Sequence, residues 1–226
     1  FHRRQLSHFR RAGGSLWFLV CDLLPAERPE WFSANNVLRY KAWLEIIAGI
    51  ADGFLCISQQ TEGDLRRVLA ERFGLEEGYA TRIVPMGHAI LDSMLQEAAA
   101  AAPPTSRFDM TQPFSLMVGT LEPRKGHADV IAAFSELWLQ GSQHRLVLVG
   151  RMGWKIEMLR DAIRNHPEHG DKLLWFDDVG DLELEQIYQA CEGVIVASHA
   201  EGFGLPLIEA LGPFKPVLAR DLPIFR

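Results

Sequence analysis

The alternation of short apolar segments with segments of helical periodicity constrains the fold of this chain more than any other feature. The apolar segments are rich in Val, Leu, Ile and Phe, the composition of strands buried on both faces of a parallel sheet. Strands that alternate with helices predict an α/β fold in which parallel sheets are flanked by helices. The predicted strands are 16–20, 54–57, 82–84, 114–118, 145–149, 173–176, 193–196 and 216–218. The predicted helices are 36–51, 61–73, 128–139, 154–165, 182–191 (with Asp181 as its N-cap) and 206–211.

A change in composition divides the chain into two parts. Residues 96–109 are rich in alanine and then contain Pro-Pro, a pattern typical of an interdomain connector. We therefore predict an N-terminal domain over 1–95, a linker over 96–112 and a C-terminal domain over 113–226. The first part offers about three strands and the last part stops just after a strand, so we expect both domains to be truncated.

The overall composition excludes several classes of protein. A formal net charge of -6 argues against a nucleic-acid-binding protein, which usually presents a basic face. Three scattered cysteines without metal-ligand spacing are typical of reduced thiols, so we predict a cytoplasmic protein. The residues given contain neither a signal-peptide pattern nor an apolar run of about 18 residues, so we expect no transmembrane helix among them.

The segment Glu201-Gly-Phe-Gly-Leu-Pro-Leu-Ile-Glu209 follows one predicted strand and opens a helix. Glycines at such a turn let backbone N–H groups approach a ligand closely, and the helix N-terminus favours a diphosphate. Carboxylates accept hydrogen bonds from sugar and ribose hydroxyls. The alternative interpretation is a capped helix with solvated acidic side chains.

Two more turns follow predicted strands. Gly119-Thr-Leu-Glu-Pro-Arg-Lys-Gly126 places Arg124 and Lys125 where their charges would offset a phosphate. Leu146-Val-Leu-Val-Gly-Arg-Met-Gly-Trp154 ends a strand in Gly-x-x-Gly. The alternatives are an ordinary surface turn for the first and a tight strand-to-helix turn for the second. Because parallel sheets bind ligands at the carboxyl ends of their strands, these turns together predict one site.

Residues 114–226 resemble the donor domain of the family-4 retaining glycosyltransferases, which have two facing Rossmann-like domains (the GT-B fold). The resemblance is specific for the family and much less so for the substrate. The segments that carry it are Val118-Gly-Thr-Leu-Glu-Pro-Arg-Lys-Gly126, Val149-Gly-Arg-Met-Gly-Trp154, Val179-Gly-Asp-Leu-Glu-Leu-Glu-Gln-Ile-Tyr188 and Ser198-His-Ala-Glu-Gly-Phe-Gly-Leu-Pro-Leu-Ile-Glu209.

The resemblance implies a role for each matched position. It implies that Lys125, helped by Arg124, holds the donor diphosphate on a turn that begins with Gly119 and Thr120. Many relatives have Arg in place of Thr120, so this phosphate clamp would rest on fewer charges and leaves the share of Arg124 open.

The same resemblance assigns the sugar and the nucleoside. Glu201 would face the hydroxyls of the transferred sugar and is one catalytic candidate. Glu209 would accept from the ribose, and the backbone around Asp178 and Val179 would read the base edge. The residues expected to present backbone groups to sugar and phosphate are Gly202, Phe203, Gly204 and Leu205.

The first half adds a second resemblance. Leu19-Val-Cys-Asp-Leu-Leu-Pro25 is similar to a segment of bacterial O-antigen and polysaccharide mannosyl- or rhamnosyltransferases. Relatives often carry His or an aromatic residue in place of Cys21. Asp22 is a second catalytic candidate that could orient an acceptor hydroxyl; the alternative is a carboxylate that caps a strand end. His88 is interpreted as structural.

These resemblances imply a retaining transferase that moves a mannose-like sugar from a nucleotide-sugar to a glycan or lipid-linked acceptor, in the synthesis of cell-surface polysaccharide such as lipopolysaccharide. We expect no metal, because no Asp-x-Asp motif is present, and we expect no cofactor besides the nucleotide-sugar co-substrate. Four arginines in residues 1–11 would contact anionic lipids at the inner face of the membrane, or form the solvated face of a helix. The rival functions are a nucleotide-sugar epimerase and an inactive donor-binding fragment.

Overall fold

The computed structural model of the chain describes residues 3–86, 93–101, 103 and 107–226. These residues form two compact units, and both are α/β. The first unit contains residues up to 86 together with 201–203 and 222–226, and the second contains 93–200, apart from the gaps, and 204–221. His88 lies outside the described residues.

The first unit is built on a parallel sheet whose described strands have the order β1-β2-β3. Phe54 and Cys56 of the central strand are fully buried and pack against Leu44 and Leu65 of the two long helices. Its elements are α1 Arg3–Arg11, β1 Trp17–Val20, α2 Leu24–Glu27, α3 Ala34–Ala48, β2 Gly53–Cys56, α4 Gln59–Phe73 and β3 Ala80–Ile83.

The second unit is built on a parallel sheet whose described strands have the order β6-β5-β4-β7-β8. Leu146 and Leu148 of β5 are fully buried and pack in one core cluster with Phe134 and Trp138 of α6. Its elements are α5 Ser93–Ala101, β4 Phe114–Val118, α6 His127–Leu139, β5 Arg145–Val149, α7 Glu157–Arg164, β6 Leu173–Phe176, α8 Asp181–Ala190, β7 Gly193–Val196, α9 Leu205–Leu211 and β8 Val217–Ala219.

The prediction of parallel sheets flanked by helices is confirmed, and each predicted strand is present within two residues at either end. The helix starts differ more. Gly180, in an extended conformation, is the N-cap of α8, so the expectation for Asp181 was wrong and its carboxylate lies in the first turn instead. α7 begins at Glu157 rather than at 154, because Lys155 has φ 54°, a value that an α-helix cannot contain.

The predicted linker contains structure that the sequence analysis missed. Its residues 96–101 belong to α5, and the side chain of Gln186 on α8 holds this region. The Nε2 of Gln186 donates to the carbonyls of Ala99 at 3.0 Å and Pro103 at 3.1 Å. Because alanine is the best helix former, the composition that signalled a connector also stabilises a helix.

Candidate functional site

The order of the strands in the second unit defines a switch point between β4 and β7. From β4 the chain builds β5 and β6 on one side, then crosses back to add β7 and β8 on the other. In open α/β sheets, ligands bind outside the carboxyl ends of the strands at such a point. The predicted turns that follow β4 and β7 therefore lie where this fold binds ligands.

The turn after β4 packs against the connection that follows β7. The backbone N–H of His199 donates to the Arg124 carbonyl at 2.7 Å, and Nη1 of Arg124 donates to the Ala200 carbonyl at 3.1 Å. Gly126 has φ 76°, and a Cβ at this position would lie 2.3 Å from the carbonyl oxygen of Ala197. Only glycine fits there, so Gly126 allows these two connections to pack closely.

The two cations of this turn have different surroundings. Nη2 of Arg124 lies 2.7 Å from Oε1 of Glu122, a residue that is 2% exposed. Nη1 of Arg124 also donates to the Ala200 carbonyl, so Arg124 holds the turn against the connection that follows β7, and its expected contact with a diphosphate stays a prediction. Lys125 is half-buried and its side chain runs beside Gly119, while Thr120 is exposed.

The turn after β5 is closed by backbone contacts. The N–H of Gly119 donates to the Val149 carbonyl at 2.9 Å. A Cβ on Gly150, whose φ is 157°, would lie 2.0 Å from the carbonyl oxygen of Gly119. The first glycine of Gly-x-x-Gly is therefore required by the close approach of the ends of β4 and β5.

Asp178 and Val179, the expected base-reading residues, lie in the loop between β6 and α8. Asp178 is exposed and its carboxylate pairs with Nη1 of Arg107, whose Nε also lies 2.8 Å from Oε1 of Glu183. The hydrogen bond from Arg107 lowers the pKa of Asp178. The guanidinium thus ties the carboxylate of the loop to the first turn of α8. No local pattern in the sequence marks Arg107, because its partner Asp178 lies 71 positions away.

Glu209, the expected ribose acceptor, lies half-buried on α9. Gly204, with φ 88°, precedes the first residue of this helix, Leu205. The hydroxyl of Tyr188 on α8 donates to Oε2 of Glu209 at 2.6 Å. Tyr188 stands at the end of a segment that carries the family resemblance, but no sequence pattern identifies Glu209 as its partner.

The remaining candidates belong to the first unit. Glu201, Gly202 and Phe203 cluster with that unit, where Oγ of Ser58 donates to the Gly202 carbonyl at 2.9 Å. Oδ1 of Asp22 accepts from the backbone N–H of Leu24 at 3.0 Å. This contact is the capping interaction that was left open as the alternative role of Asp22.

The described residues contain neither a metal-binding cluster nor a membrane-spanning helix. In those residues no group of three or more His, Cys, Asp or Glu side chains is placed to hold a metal ion, and the expectation of metal independence stays a prediction. None of the helices in the described ranges is both long and apolar enough to cross a membrane.

The sequence of this chain is similar to those of known glycosyltransferases. The family described as glycosyl transferases group 1 matches residues 100–226. The serotype-specific mannosyltransferase WbdA of Escherichia coli is 36% identical over 98% of this chain and 28% of its own length. O-antigen chain mannosyltransferase B of Escherichia coli is 28% identical over 58% of this chain and 35% of its own.

A solved structure supports the same assignment. Sucrose-phosphate synthase from Thermosynechococcus elongatus superimposes with a TM-score of 0.64 at 25% identity, over 90% of this chain and 49% of that one. This chain spans 28% of the length of the mannosyltransferase WbdA. Together with the turns at the switch point, these matches show that the chain belongs to the glycosyl transferases group 1 family.

Proposed function

We propose that this protein transfers a mannose-like sugar from a nucleotide-sugar to a glycan or lipid-linked acceptor, with retention of configuration, during synthesis of cell-surface polysaccharide. The observation that carries the proposal is the 36% identity with a serotype-specific mannosyltransferase over 98% of this chain. The names of the relatives described above contain no epimerase, so nothing favours that alternative.

Lys125 is the proposed contact for the donor diphosphate. Transfer requires the nucleoside diphosphate to leave with its developing negative charge stabilised, and a fixed cation supplies that stabilisation. Lys125 is half-buried on the turn after β4, at the switch point of the sheet. Arg124 has the supporting role of holding this turn against Ala200. The proposal includes no metal ion or cofactor.

The nucleoside and the sugar would contact other elements. Glu209 would accept from the ribose, with the backbone at 178–179 reading the base edge. Glu201 would face the transferred sugar and Asp22 would orient the acceptor hydroxyl; both roles rest on the resemblance. Transfer passes through a transition state with oxocarbenium character at the anomeric carbon, as glycoside hydrolysis does.

The first helix is the proposed contact with the inner face of the membrane. α1 carries Arg4, Arg10 and Arg11 on exposed positions, and Phe9 is 53% exposed. Arg10 also pairs with Asp52 at 2.9 Å, so part of its charge is already offset. Sedimentation with phosphatidylglycerol vesicles should exceed that with phosphatidylcholine vesicles, and R4A/R11A should remove the difference. Equal sedimentation with both lipids would refute this contact.

Turnover assays test the proposed activity. The protein is incubated with GDP-, UDP- and dTDP-sugars, each with and without a mannose-terminated acceptor; mass spectrometry detects the transfer product, and NMR distinguishes epimers, which have equal mass. We expect an acceptor one hexose heavier from one nucleotide class. Epimer formed without acceptor would instead establish the epimerase. Binding of a nucleoside diphosphate without any turnover would identify a donor-binding fragment.

A further inference from the structure

The hydrogen bond between α8 and α9 pairs a buried hydroxyl with a half-buried carboxylate. Tyr188 is 2% exposed, and its hydroxyl donates to Oε2 of Glu209 at 2.6 Å, at the short end of the normal range. Burial raises the pKa of Tyr188 well above its usual value, and the charge of Glu209 raises it further. The hydroxyl therefore keeps its proton and remains the donor.

The geometry leaves one carboxylate oxygen for another partner. Within the described part of the chain, Oε2 of Glu209 accepts from Tyr188 and no hydrogen bond to Oε1 is found. A carboxylate has about four acceptor positions on two oxygens, so a bond to Oε2 does not saturate it. The bond restricts rotation of the carboxylate before a ligand binds. Less rotational entropy is then lost on binding, which favours affinity.

We propose that Tyr188 is a positioning residue that orients the Glu209 carboxylate so that Oε1 accepts from the ribose of the donor. This inference rests on the proposed function, in which Glu209 contacts the ribose. Packing alone does not call for the hydroxyl, because phenylalanine would fill the same space without burying a polar group.

The experiment removes the hydroxyl from the protein and, separately, the hydroxyls from the ligand. Calorimetry measures the affinity of the protein for GDP and for 2′,3′-dideoxy-GDP, or for the corresponding uridine pair if GDP does not bind. The variants are Tyr188→Phe, Glu209→Ala and the double variant. Tyr79→Phe is the matched control, because Tyr79 packs beside Phe54 in the first unit.

We expect Tyr188→Phe to weaken GDP binding by about three- to tenfold, the effect of one hydrogen bond, and to leave dideoxy-GDP binding unchanged. In the double variant, loss of the Tyr188 hydroxyl should have no further effect beyond Glu209→Ala. Tyr79→Phe should bind both ligands as the unmodified protein does.

The outcomes separate two failures. If Tyr188→Phe weakens the binding of both ligands equally, or of neither, while Glu209→Ala abolishes the preference for GDP over dideoxy-GDP, the positioning role is refuted and the ribose assignment stands. If Glu209→Ala preserves that preference, the ribose assignment itself is wrong and the positioning role falls with it. If the double variant binds GDP more weakly than Glu209→Ala does, Tyr188 affects binding independently of Glu209 and the positioning role is refuted. This comparison holds whether or not Tyr188→Phe lowers the stability of the protein.

Discussion

The two units complete the carboxyl ends of their strands in different ways. In the first unit, side chains close the strand ends: Asp22 accepts from the backbone of Leu24, and Ser58 accepts from the N–H of Thr61 at 3.1 Å. In the second unit, Gly119 and Gly150 close the ends of β4 and β5 by backbone contact. Glycines at a strand end let a ligand approach the backbone closely. At a capped strand end, the polar side chains are already hydrogen-bonded to the protein backbone.

The two units also differ in whether particular buried polar side chains are hydrogen-bonded. Oγ of Ser58 and Oγ1 of Thr61 in the first unit are 3.0 Å apart and hydrogen-bonded. In the second unit His127 is 1% exposed, and neither ring nitrogen has a hydrogen-bond partner among the described residues. His127 begins α6, two residues after Lys125. Because a buried polar group without a hydrogen bond costs free energy, His127 destabilises the second unit, which also contains the proposed site.

Acid titration should produce the largest difference between the units. Burial, and then the charge of Lys125, lowers the pKa of His127 from 6.5 to about 4. Well above pH 6.5 the histidine is neutral in both the folded and unfolded states, so its shifted pKa does not affect stability there. As the pH falls towards 4, the unfolded chain binds the proton first, so folding should lose about 3 kcal/mol.

Denaturant unfolding of the unmodified protein and of His127→Leu at pH 7 and pH 4.5 measures this loss. The free energy of unfolding should fall more steeply with acid in the unmodified protein, because leucine has no proton to bind. Parallel falls in the two proteins would mean that His127 protonates freely in the folded state.

Two glycine-to-alanine substitutions, one in each unit, should change the free energy of unfolding in opposite directions. Gly150→Ala should lower the free energy of unfolding by about 2 kcal/mol or more, because the new Cβ meets the Gly119 carbonyl. Gly63, exposed on α4 with open space around it, is the matched control. Gly63→Ala should raise stability by up to about 1 kcal/mol. A neutral Gly150→Ala would show that the ends of β4 and β5 separate easily.

The smallest effect is expected at Arg107. Arg107→Ala should weaken GDP binding by about two- to threefold by freeing the loop that carries Asp178, and should not change the affinity for inorganic pyrophosphate. Arg160→Ala, which removes an exposed pair with Asp161, is the control. Calorimetry with both ligands decides, and equal weakening of GDP and pyrophosphate would place the effect outside the base-reading loop.

How far the sequence predicts this molecule depends on whether a feature is local. β4, β5, β6 and β7 have their predicted bounds, because continuous apolar runs between turns mark strands buried on both faces. The turns with Gly119 and Gly126 are also local features, because these glycines adopt positive φ values that other residues rarely adopt.

Features that depend on tertiary contacts were not predictable. Tyr188 and Glu209 are 21 residues apart on different helices, and no periodicity pairs them. Arg107 reaches Asp178 from within the predicted linker, where the alanine-rich composition also concealed α5. The protein contacts of Arg124 depend likewise on the connection that follows β7.

The central claim is that the nucleoside diphosphate binds at the switch point of the second unit, through Lys125. Calorimetric titration of GDP, or UDP if GDP does not bind, into three variants tests it most directly. Lys125→Ala should lose about one to two decades of affinity, the value of charged hydrogen bonds to a diphosphate. Lys41→Ala, on an exposed position of α3, and Asp22→Asn in the first unit should bind as the unmodified protein does. Full affinity in Lys125→Ala, or an equal loss in Asp22→Asn, would contradict the account.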